Sequence, residues 1–533
     1  MPVPDRAAVA AARPQRPPRT SVGELVGAGM RLVGDPGATV TGVSLSSQRV
    51  LPGDLYAALP GARVHGIEFA PDAIEAGAVA VLTDAVGAAR ITSGSPLPAS
   101  VPVIVADDPR GALGALSARV YGDPAARLTL IGVTGTQGKT TTTRLLEAGL
   151  QRSGTTAGAI GTVGTRIAGR DVKTSLTTPE APDLHALFAL MAENRVQACA
   201  MEVSSHALVL GRVDGVVFDA AVFLNLGRDH LDFHAGVEEY YLAKASLFTP
   251  ERARRGVVNV DDEHGRRLAS EARIPIATMT THPEAREADW QAHDVALGPE
   301  GSTFTVLGPH GERIEARCPL PGDFNVANTL AAIAAAGEAG LDPRRVAQGI
   351  ATSRGVPGRL ERVSAGPGDQ DLTVVVDYAH KPDAVEAAIR TLRPLTDGRV
   401  IVVLGAGGDR DQGKRPIMGE IAARLADLVI VTDDNPRSEE PAAIRAQVLA
   451  GAAQAGGGSA DVRDIGDRSA AIATAVAEAA AGDIVLIAGK GHETGQEIAG
   501  EIHPFDDRDV AREALRQRAA DAHAPGTDKM DPL

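Results

Sequence analysis

The chain has 533 residues, too many for one hydrophobic core, so its length predicts about three domains of roughly 150 residues each. Apolar residues make up 44% of the chain and charged residues 23%, which excludes a mostly disordered protein. The net charge of −15 disfavours non-specific binding to nucleic acid or to an anionic membrane, so any phosphate-binding site must be local.

Cysteine use and hydropathy indicate the compartment. Cys199 and Cys318 are the two cysteines and lie far apart, which argues against a disulfide framework and against a cysteine-based zinc site. No apolar run approaches the roughly 18 residues of a membrane helix. We therefore expect a cytoplasmic protein, without membrane insertion and without a nucleic-acid partner, and we take it to be a monomer.

The two ends of the chain differ from the rest in composition. Residues 1–19 are rich in proline and arginine and lack the apolar stretch of a signal peptide, so we predict a disordered arm. Residues 518–533 are predicted to form a similar disordered tail.

The first two domains are marked by short apolar runs. Runs at residues 78–82 and 101–105, set among Gly and Pro turns, predict a small α/β domain over residues 20–126. An apolar strand at residues 128–134 then leads into a glycine turn and a helix. It opens a predicted central domain, residues 127–354, with a mostly parallel sheet.

Two later strands of the central domain, residues 198–203 and 220–224, each end in a cluster of polar residues. Ligands of open parallel sheets bind at such carboxyl ends. From about residue 355 the pattern restarts, with amphipathic helical segments between apolar runs at 374–376, 400–404, 428–431 and 484–487. Residues 355–517 are thus predicted to form a Rossmann-like, doubly wound domain.

A glycine-rich turn with lysine and threonine follows the first central strand. Its glycines allow backbone N–H groups to surround a phosphate, Lys139 supplies a positive charge, and Thr140 offers a hydroxyl to Mg²⁺. Val133 stands where the usual Walker spacing has glycine, so this is a P-loop variant that predicts ATP binding. The predicted phosphate-binding residues are Gly135, Thr136, Gln137, Gly138, Lys139, Thr140 and Thr141.

Glu202 and His230 both lie at predicted strand ends close to the P-loop in the sheet. A carboxylate and an imidazole there could hold a divalent metal beside the phosphates. Each alone is more often a structural polar residue, and only the neighbouring P-loop favours the metal site.

Three sequence runs carry a resemblance to a known family. Thr177-Thr178-Pro179, residues 201–208 (MEVSSHAL) and residues 225–232 (NLGRDHLD) resemble the central domain of the Mur ligases, and the resemblance extends over about residues 22–515. The chain is most similar to the members that add the third residue of the peptidoglycan stem peptide. In them, ATP phosphorylates the carboxylate of UDP-N-acetylmuramoyl-L-alanyl-D-glutamate, and an amine attacks the acyl-phosphate. ATP and Mg²⁺ are the implied cofactors.

The resemblance implies roles for further residues of the first two domains. Lys244, in Tyr241-Leu-Ala-Lys244, matches a lysine that reacts with CO₂ to become N6-carboxylysine, which together with Thr140, Glu202 and His230 would bind Mg²⁺. The positions that match contacts to the UDP-linked peptide are Ser47, Thr177, Thr178, Ser204 and Arg212. Those that match adenine and ribose contacts are Asn325, Asn328, Arg359 and Asp377.

The last domain carries the match to amino-acid selection. The loop Asp434-Asn435-Pro436-Arg437 resembles the motif by which this family selects 2,6-diaminopimelate, expected here in its meso form. Diaminopimelate differs from lysine by one distal carboxylate, which a guanidinium can hold in a bidentate pair, so Arg437 is the predicted discriminator. Arg410, Gly489 and Glu493 match its other contacts.

Three other functions compete with this interpretation. A lysine-adding ligase of the same family and a ligase similar to folylpolyglutamate synthase share the central domain, but the first domain and the loop at residues 434–437 argue against both. A regulatory P-loop protein without ligase activity would not need several ligand-facing loops in a third domain.

Overall fold

The computed structural model describes residues 6–93, 97–227, 229–230, 233–366, 372–456 and 460–523. The chain forms two compact units. The first unit runs to Asp294 and includes Phe304–Ala316 and Ala327–Ser353, whereas the second comprises Val295–Thr303, Arg317–Val326 and the chain from Arg354 onward.

The first unit begins with the small α/β domain predicted from the sequence. Its five-stranded sheet has the order β2-β7-β6-β5-β4, parallel except for the antiparallel pair β2–β7, and β1 pairs with β3. The elements are α1 Arg6–Ala11, β1 Thr20–Ser21, α2 Val22–Leu25, β2 Met30–Val33, β3 Thr39–Val40, β4 Gly42–Ser44, β5 Asp54–Ala57, α3 Ala70–Glu75, β6 Ala80–Thr83, α4 Ala85–Ser93, β7 Val103–Ala106 and α5 Pro109–Val120, with short 3-10 helices at Ser47–Arg49, Gly66–Phe69 and Pro124–Arg127.

The described part of the predicted disordered arm, residues 6–19, is packed instead. Arg13 is 7% exposed and donates from Nη1 to Asp54 Oδ1 (2.8 Å) and from Nη2 to the Val43 carbonyl (2.8 Å). The backbone N–H groups of Gln15 and Arg16 donate to the Glu193 carboxylate. Composition alone gave no sign that these acceptors exist, which is why the prediction is wrong here; residues 1–5 lie outside the described residues.

The central sheet has eleven strands in the order β11-β10-β9-β12-β8-β13-β14-β15-β16-β17-β18. The elements are β8 Thr129–Thr134, α6 Lys139–Arg152, β9 Ala157–Gly161, β10 Gly164–Ile167, β11 Arg170–Val172, α7 Ala181–Glu193, β12 Ala198–Glu202, α8 Ser205–Val209, β13 Phe218–Phe223, α9 Val237–Ala245, β14 Ala253–Asn259, α10 Glu263–Glu271, β15 Ile276–Thr280, β16 Trp290–Ala296, β17 Ser302–Leu307, β18 Arg313–Cys318, α11 Asp323–Glu338 and α12 Pro343–Ala351.

Strands β12, β8 and β13 form the centre of this sheet and run parallel to one another. All five residues of β12 are buried, as are nearly all of β8 and β13. Parallel strands that are covered on both faces have such continuous apolar sequences, which is the pattern that predicted them.

The second unit is built on a six-stranded sheet of order β19-β20-β24-β21-β22-β23, parallel except for the antiparallel pair β19–β20. Apolar clusters cover both of its faces, as in a doubly wound fold. The elements are β19 Glu361–Val363, β20 Thr373–Asp377, α13 Pro382–Leu392, β21 Val400–Leu404, α14 Lys414–Leu425, β22 Leu428–Val431, α15 Pro441–Ala452, β23 Asp461–Asp464, α16 Arg468–Glu478, β24 Ile484–Ala488, β25 Gly495–Ile498, β26 Glu501–Pro504 and α17 Asp507–His523, with a 3-10 helix at Arg393–Leu395.

Helix α17 extends beyond the predicted end of this domain. It continues to His523, so residues 518–523 of the predicted disordered tail are helical, and Arg518 donates to the Val476 carbonyl (3.0 Å). The rest of the predicted tail lies outside the described residues. No helix in the described part of the chain is long and apolar enough to cross a membrane.

Helices α16 and α17 are joined by a fully buried ion pair. Arg468 donates from Nε and Nη2 to the two carboxylate oxygens of Asp507, at 2.7 and 2.8 Å, and both side chains are 0% exposed. Nη2 also donates to the Ala488 carbonyl at the end of β24 (3.0 Å). Such a pair is costly to break, because the remaining charge is left without a partner in the interior.

We predict that Asp507→Ala lowers the free energy of unfolding of this unit by about 3–5 kcal/mol, since Arg468 stays buried without its counter-charge. Urea unfolding followed by circular dichroism measures the change. Asp509→Ala, on the exposed side of the same helix, is the matched control and should cost about 1 kcal/mol or less. Equal unfolding midpoints for the two variants would contradict the prediction.

Candidate active site

The P-loop connects the end of β8 to the start of α6. Gly135 and Gly138 have φ values of 153° and 85°, and a Cβ atom on Gly138 would come within 2.3 Å of Asn328 Oδ1. Both backbone conformation and space therefore require glycine at position 138. The turn leads into a fourteen-residue helix, whose first N–H groups and positive dipole end favour a bound phosphate.

Asn225, which follows β13, holds the P-loop from the neighbouring strand. Its Oδ1 accepts from the backbone N–H groups of Thr136 (3.1 Å) and Gln137 (2.9 Å), and its Nδ2 donates to the Gln137 carbonyl (3.2 Å). The sequence shows Asn225 in a polar cluster at a strand end, yet the predicted set of site residues omits it.

Two lysines meet at the same carbonyl of the loop. Lys139 Nζ donates to the carbonyls of Gly135 (2.7 Å) and Thr136 (3.0 Å), and Lys244 Nζ donates to that of Gly135 (2.9 Å). Lys244 is 1% exposed, and its Nζ lies 4.4 Å from the centre of the Tyr240 ring. Burial lowers the pKa of Lys244 well below its usual value, and the charge of Lys139 lowers it further.

Glu202 ends strand β12 and pairs in register with Val133, next to the P-loop. Its side chain is 2% exposed, and its oxygens accept from Thr162 N–H (2.8 Å) and Thr162 Oγ1 (3.1 Å). Both donors are neutral. A buried carboxylate to which the described residues offer only neutral donors retains a capacity for a cation, which fits the predicted metal ligand.

Two further predicted metal ligands, His230 and Thr140, lie after β13 and near the start of α6, respectively. His230 has a left-handed backbone (φ 54°), and its Nε2 lies 3.5 Å from Asp229 Oδ2. Thr140 is 7% exposed in the first turn of α6. Among the described residues, no three His, Cys, Asp or Glu side chains converge into a metal-binding group. Oxygen donors from Glu202 and Thr140 suit Mg²⁺, which is usually held by one or two protein oxygens together with waters and phosphates.

The predicted peptide-binding residues are joined to Glu202 by hydrogen bonds. Thr178 Oγ1 donates to the Glu202 carbonyl (2.9 Å) and to Ser204 Oγ (3.4 Å), and Arg212 Nη1 donates to the Thr178 carbonyl (3.3 Å). Thr177 Oγ1 lies 3.1 Å from Thr162 Oγ1. The structure thus brings four of the five predicted peptide contacts together beside the P-loop.

The fifth predicted peptide contact, Ser47, is half-buried at the start of a 3-10 helix in the small domain. Glu180, which sequence reasoning missed, pairs with Arg212 (2.8 Å) and with Arg110 of α5 (2.7 Å). Nothing in the sequence marks Glu180, because its partners lie 32 residues after and 70 residues before it.

The predicted nucleoside contacts fall in both units. Asn328 belongs to the first unit, is 4% exposed, and its Oδ1 accepts from Thr142 Oγ1 (3.4 Å), which places it against the P-loop. Asn325, Arg359 and Asp377 belong to the second unit. There the Arg359 guanidinium lies 4.6 Å from the Tyr378 ring centre, and the Asp377 carboxylate accepts from the backbone N–H groups of Leu360 (2.7 Å) and Ala379 (2.8 Å).

In the second unit, the loop after β22 and the turn after β24 share a polar network. Asn435 Nδ2 donates to Glu493 Oε2 (2.9 Å), and Asn435 Oδ1 accepts from Lys490 Nζ (3.0 Å). Lys490 is 0% exposed and lies 4.0 Å from Asp434 Oδ1. A Cβ on Gly489 would come within 2.5 Å of Asp434 Oδ2, so glycine is required for this close approach. Four predicted contacts, Asp434, Asn435, Gly489 and Glu493, therefore converge, with Lys490 as an additional member.

Arg437 adopts a left-handed backbone (φ 54°) at the end of the same loop. Its Nε lies 3.1 Å from Glu497 Oε2, and its Nη1 donates to the Gly408 carbonyl (2.8 Å). The Pro436 carbonyl packs against Gly408. A Cβ atom on Gly408 would come within 1.8 Å of the Pro436 carbonyl oxygen. Arg410 is exposed and donates to the Asp409 carbonyl (3.1 Å).

Comparison with known proteins identifies the family. Models described as "Mur ligase family, catalytic domain", "Mur ligase middle domain" and "Mur ligase, glutamate ligase domain" match residues 39–121, 133–336 and 358–491. The chain is 56% identical over 508 residues to the UDP-N-acetylmuramoyl-L-alanyl-D-glutamate–2,6-diaminopimelate ligase of Streptomyces avermitilis, covering 95% of this chain and 98% of the relative. The chain belongs to the Mur ligase family.

Two further similarities extend this assignment. The ligase of the same name from Corynebacterium glutamicum is 50% identical over 487 residues, covering 90% of this chain and 92% of the relative. A solved structure of a UDP-N-acetylmuramoyl-L-alanyl-D-glutamate–2,6-diaminopimelate ligase superimposes with a TM-score of 0.67 at 32% identity, covering 94% of this chain and 99% of that chain. The Mur ligase resemblance inferred from three motifs and the three-domain α/β architecture are thereby confirmed.

We predict that Asn225→Ala weakens ATP binding about tenfold, because two P-loop N–H groups lose their shared acceptor and the loop loses its shape. Isothermal titration with a non-hydrolysable ATP analogue measures the change. The matched control is Asn194→Ala at the end of α7, where the side chain donates to the local Leu190 carbonyl (2.8 Å). An unchanged affinity in Asn225→Ala would remove this residue from the nucleotide site.

Proposed function

We propose that this protein uses ATP to join 2,6-diaminopimelate, in its meso form, to UDP-N-acetylmuramoyl-L-alanyl-D-glutamate in peptidoglycan precursor synthesis. One observation carries the proposal: Glu202 connects the phosphate loop to the peptide-binding residues. Its side chain lies beside the P-loop strand, and its carbonyl accepts from Thr178, which in turn bonds Ser204. A phosphoryl donor and a peptide carboxylate bound at these neighbouring sites would meet. The relatives that match nearly the whole chain bear the name of this activity.

The first step proposed is phosphoryl transfer. A carboxylate oxygen of the peptide attacks the γ-phosphorus of ATP, the bond to the β-γ bridging oxygen breaks, and ADP leaves. Lys139 and the backbone N–H groups of the P-loop hold the triphosphate and neutralise charge that develops on the transferred group. Arg212, held by Glu180 and Thr178, positions the peptide.

The second step is attack by the amine of the incoming amino acid on the acyl carbon. The C–O bond to phosphate breaks, inorganic phosphate leaves, and the nitrogen loses a proton as the amide forms. Phosphate is a far better leaving group than the unmodified oxygen of a carboxylate. The first step therefore converts a poor electrophile into a reactive one. Closure around the acyl-phosphate would protect it from water.

Thr140, Glu202 and His230 are the residues proposed to hold Mg²⁺, which would supply positive charge to the phosphate oxygens when bound. Lys244 is proposed to become a carbamate: its ammonium first loses a proton, the neutral amine nitrogen then bonds the carbon of CO₂, and a second proton leaves the nitrogen. The amine is buried at a carbonyl shared with Lys139, so replacing its positive charge with a negative one would relieve their repulsion.

Selection of the amino acid is assigned to the second unit. Arg437 is proposed to pair with the distal carboxylate of diaminopimelate. Gly489 and Glu493 are proposed to contact the distal carbon and its ammonium, and Asn435, which donates to Glu493 Oε2, supports this contact. Asp434 and Gly489 are proposed to line the same part of the site, where they approach each other closely, and Pro436 is proposed to fix the conformation of the loop. Arg410, which is exposed, is proposed to contact the proximal end of the substrate. Lysine, which lacks the distal carboxylate, would leave Arg437 without that partner.

We predict that Lys139→Ala lowers ATP-dependent phosphate release at least roughly 100-fold, because the charge that stabilises the transferred phosphoryl group is lost. Release is measured with the UDP-linked dipeptide and diaminopimelate both present. Lys173→Ala, an exposed lysine of the same unit, should keep wild-type turnover. Retained activity in Lys139→Ala would remove the P-loop from the mechanism, and phosphate release that needs neither substrate would indicate a regulatory ATPase.

We predict that Arg437→Ala lowers kcat/KM for diaminopimelate by about 10- to 100-fold while ATP binding stays unchanged, since a charge-assisted bidentate contact is lost. Product masses from reactions offered diaminopimelate and lysine together report selectivity. The control, Arg463→Ala, removes a surface arginine of the same unit. Equal use of both amino acids by the wild-type protein would contradict the proposed substrate.

A further inference from the structure

The predicted specificity loop is joined to a β-hairpin that no sequence motif marked. Strands β25 and β26 form this hairpin, in which Glu497 pairs in register with Ile502. Arg437 N–H donates to the Glu497 carbonyl (3.0 Å), and Ala499 N–H donates to the Arg437 carbonyl (2.7 Å). Glu497 N–H also donates to Asn435 Oδ1 (3.0 Å). These main-chain bonds fix the position of residue 497 against the loop.

The side chain of Glu497 reaches the same guanidinium that is proposed to bind substrate. Its Oε2 lies 3.1 Å from Arg437 Nε, and the Gly408 carbonyl accepts a hydrogen bond from Arg437 Nη1. The Nη2 end of Arg437 bonds to no residue that the structure describes. Arg437 is 21% exposed and Glu497 39% exposed, so a ligand can approach the pair from solvent. Arg437 is thus already paired with a carboxylate of its own chain.

From this geometry we infer that Glu497 tunes amino-acid specificity by acting as an internal substitute for the distal carboxylate of the substrate. The inference rests on the proposed function, in which Arg437 recognises that carboxylate. Glu497 was not among the predicted site residues. Its negative charge is inferred to lower the discrimination between diaminopimelate and lysine.

The direction follows from charge. When a diamino dicarboxylate binds, its distal carboxylate meets a guanidinium that is already neutralised, and it is repelled by the nearby Glu497 anion. When a monocarboxylate such as lysine binds, Glu497 keeps Arg437 paired and offsets the penalty for an unfilled site. Both effects lower discrimination between the two substrates, so removing the charge at position 497 should raise it.

The test compares kcat/KM for diaminopimelate and for lysine in the full-length protein. Glu497→Gln keeps the main-chain bonds and an oxygen that can accept from Arg437 Nε, but it removes the charge. We expect the ratio of the two kcat/KM values to rise roughly threefold, mostly through a lower KM for diaminopimelate. Glu497→Asp keeps the charge and should give a ratio closer to that of the wild type. The KM for ATP reports that each variant remains folded.

Glu501→Gln is the matched control, because it removes the same charge from the facing strand of the hairpin, at an exposed position opposite Ile498. A ratio in Glu497→Gln equal to that in Glu501→Gln overturns the inference. Arg437→Ala, measured in parallel, separates this failure from that of the proposed function. If Arg437→Ala abolishes discrimination while Glu497→Gln matches its control, only the role of Glu497 fails. If Arg437→Ala leaves the ratio unchanged, the recognition of the distal carboxylate fails, and the role of Glu497 with it.

Discussion

The carboxyl ends of three adjacent parallel strands lie at one level of the central sheet, and the candidate active site depends on that alignment. Strand β8 leads into the P-loop, β12 ends in Glu202, and β13 is followed by Asn225. Because the strands are buried on both faces, a shift of register would disrupt close packing on both sides of the sheet. A rigid sheet thereby fixes the phosphate loop, a buried carboxylate and the loop-holding amide relative to one another.

The P-loop of the first unit and the loop at residues 434–437 of the second unit each provide a protein acceptor for a positively charged side chain. Lys139 and Lys244 both donate to the Gly135 carbonyl, and Arg437 donates to the Glu497 carboxylate and the Gly408 carbonyl. Each of these side chains has an acceptor from the protein itself, since an unpartnered buried charge is costly. In the proposed function, substrate anions would compete with these acceptors. The strength of the internal acceptor, neutral at the P-loop and charged at Arg437, would then help to set the affinity for the anion at each position.

Sequence patterns predicted most of the fold, because parallel strands buried on both faces have continuous apolar sequences. The runs at residues 400–404 and 428–431 are strands with those bounds, and the run at 198–203 is β12 with one residue fewer. The P-loop was also predictable, since its glycines and lysine are contiguous in sequence. Glu180, Lys490 and Glu497 were not, because each acts through partners brought together only by folding. The packed segment at residues 6–19 was missed for the same reason: its partners, Asp54 and Glu193, are distant in sequence.

That N-terminal segment has a consequence for how the chain can be shortened. Arg13 neutralises Asp54, which is 2% exposed, and burial raises the pKa of the Asp54 carboxyl. The backbone N–H groups of Gln15 and Arg16 donate to Glu193 at the end of α7, so the segment connects the small α/β domain to that helix. In a truncated chain starting at Thr20, the buried Asp54 carboxylate would lose its partner Arg13. Removing this proline-rich segment would therefore remove contacts that stabilise the fold.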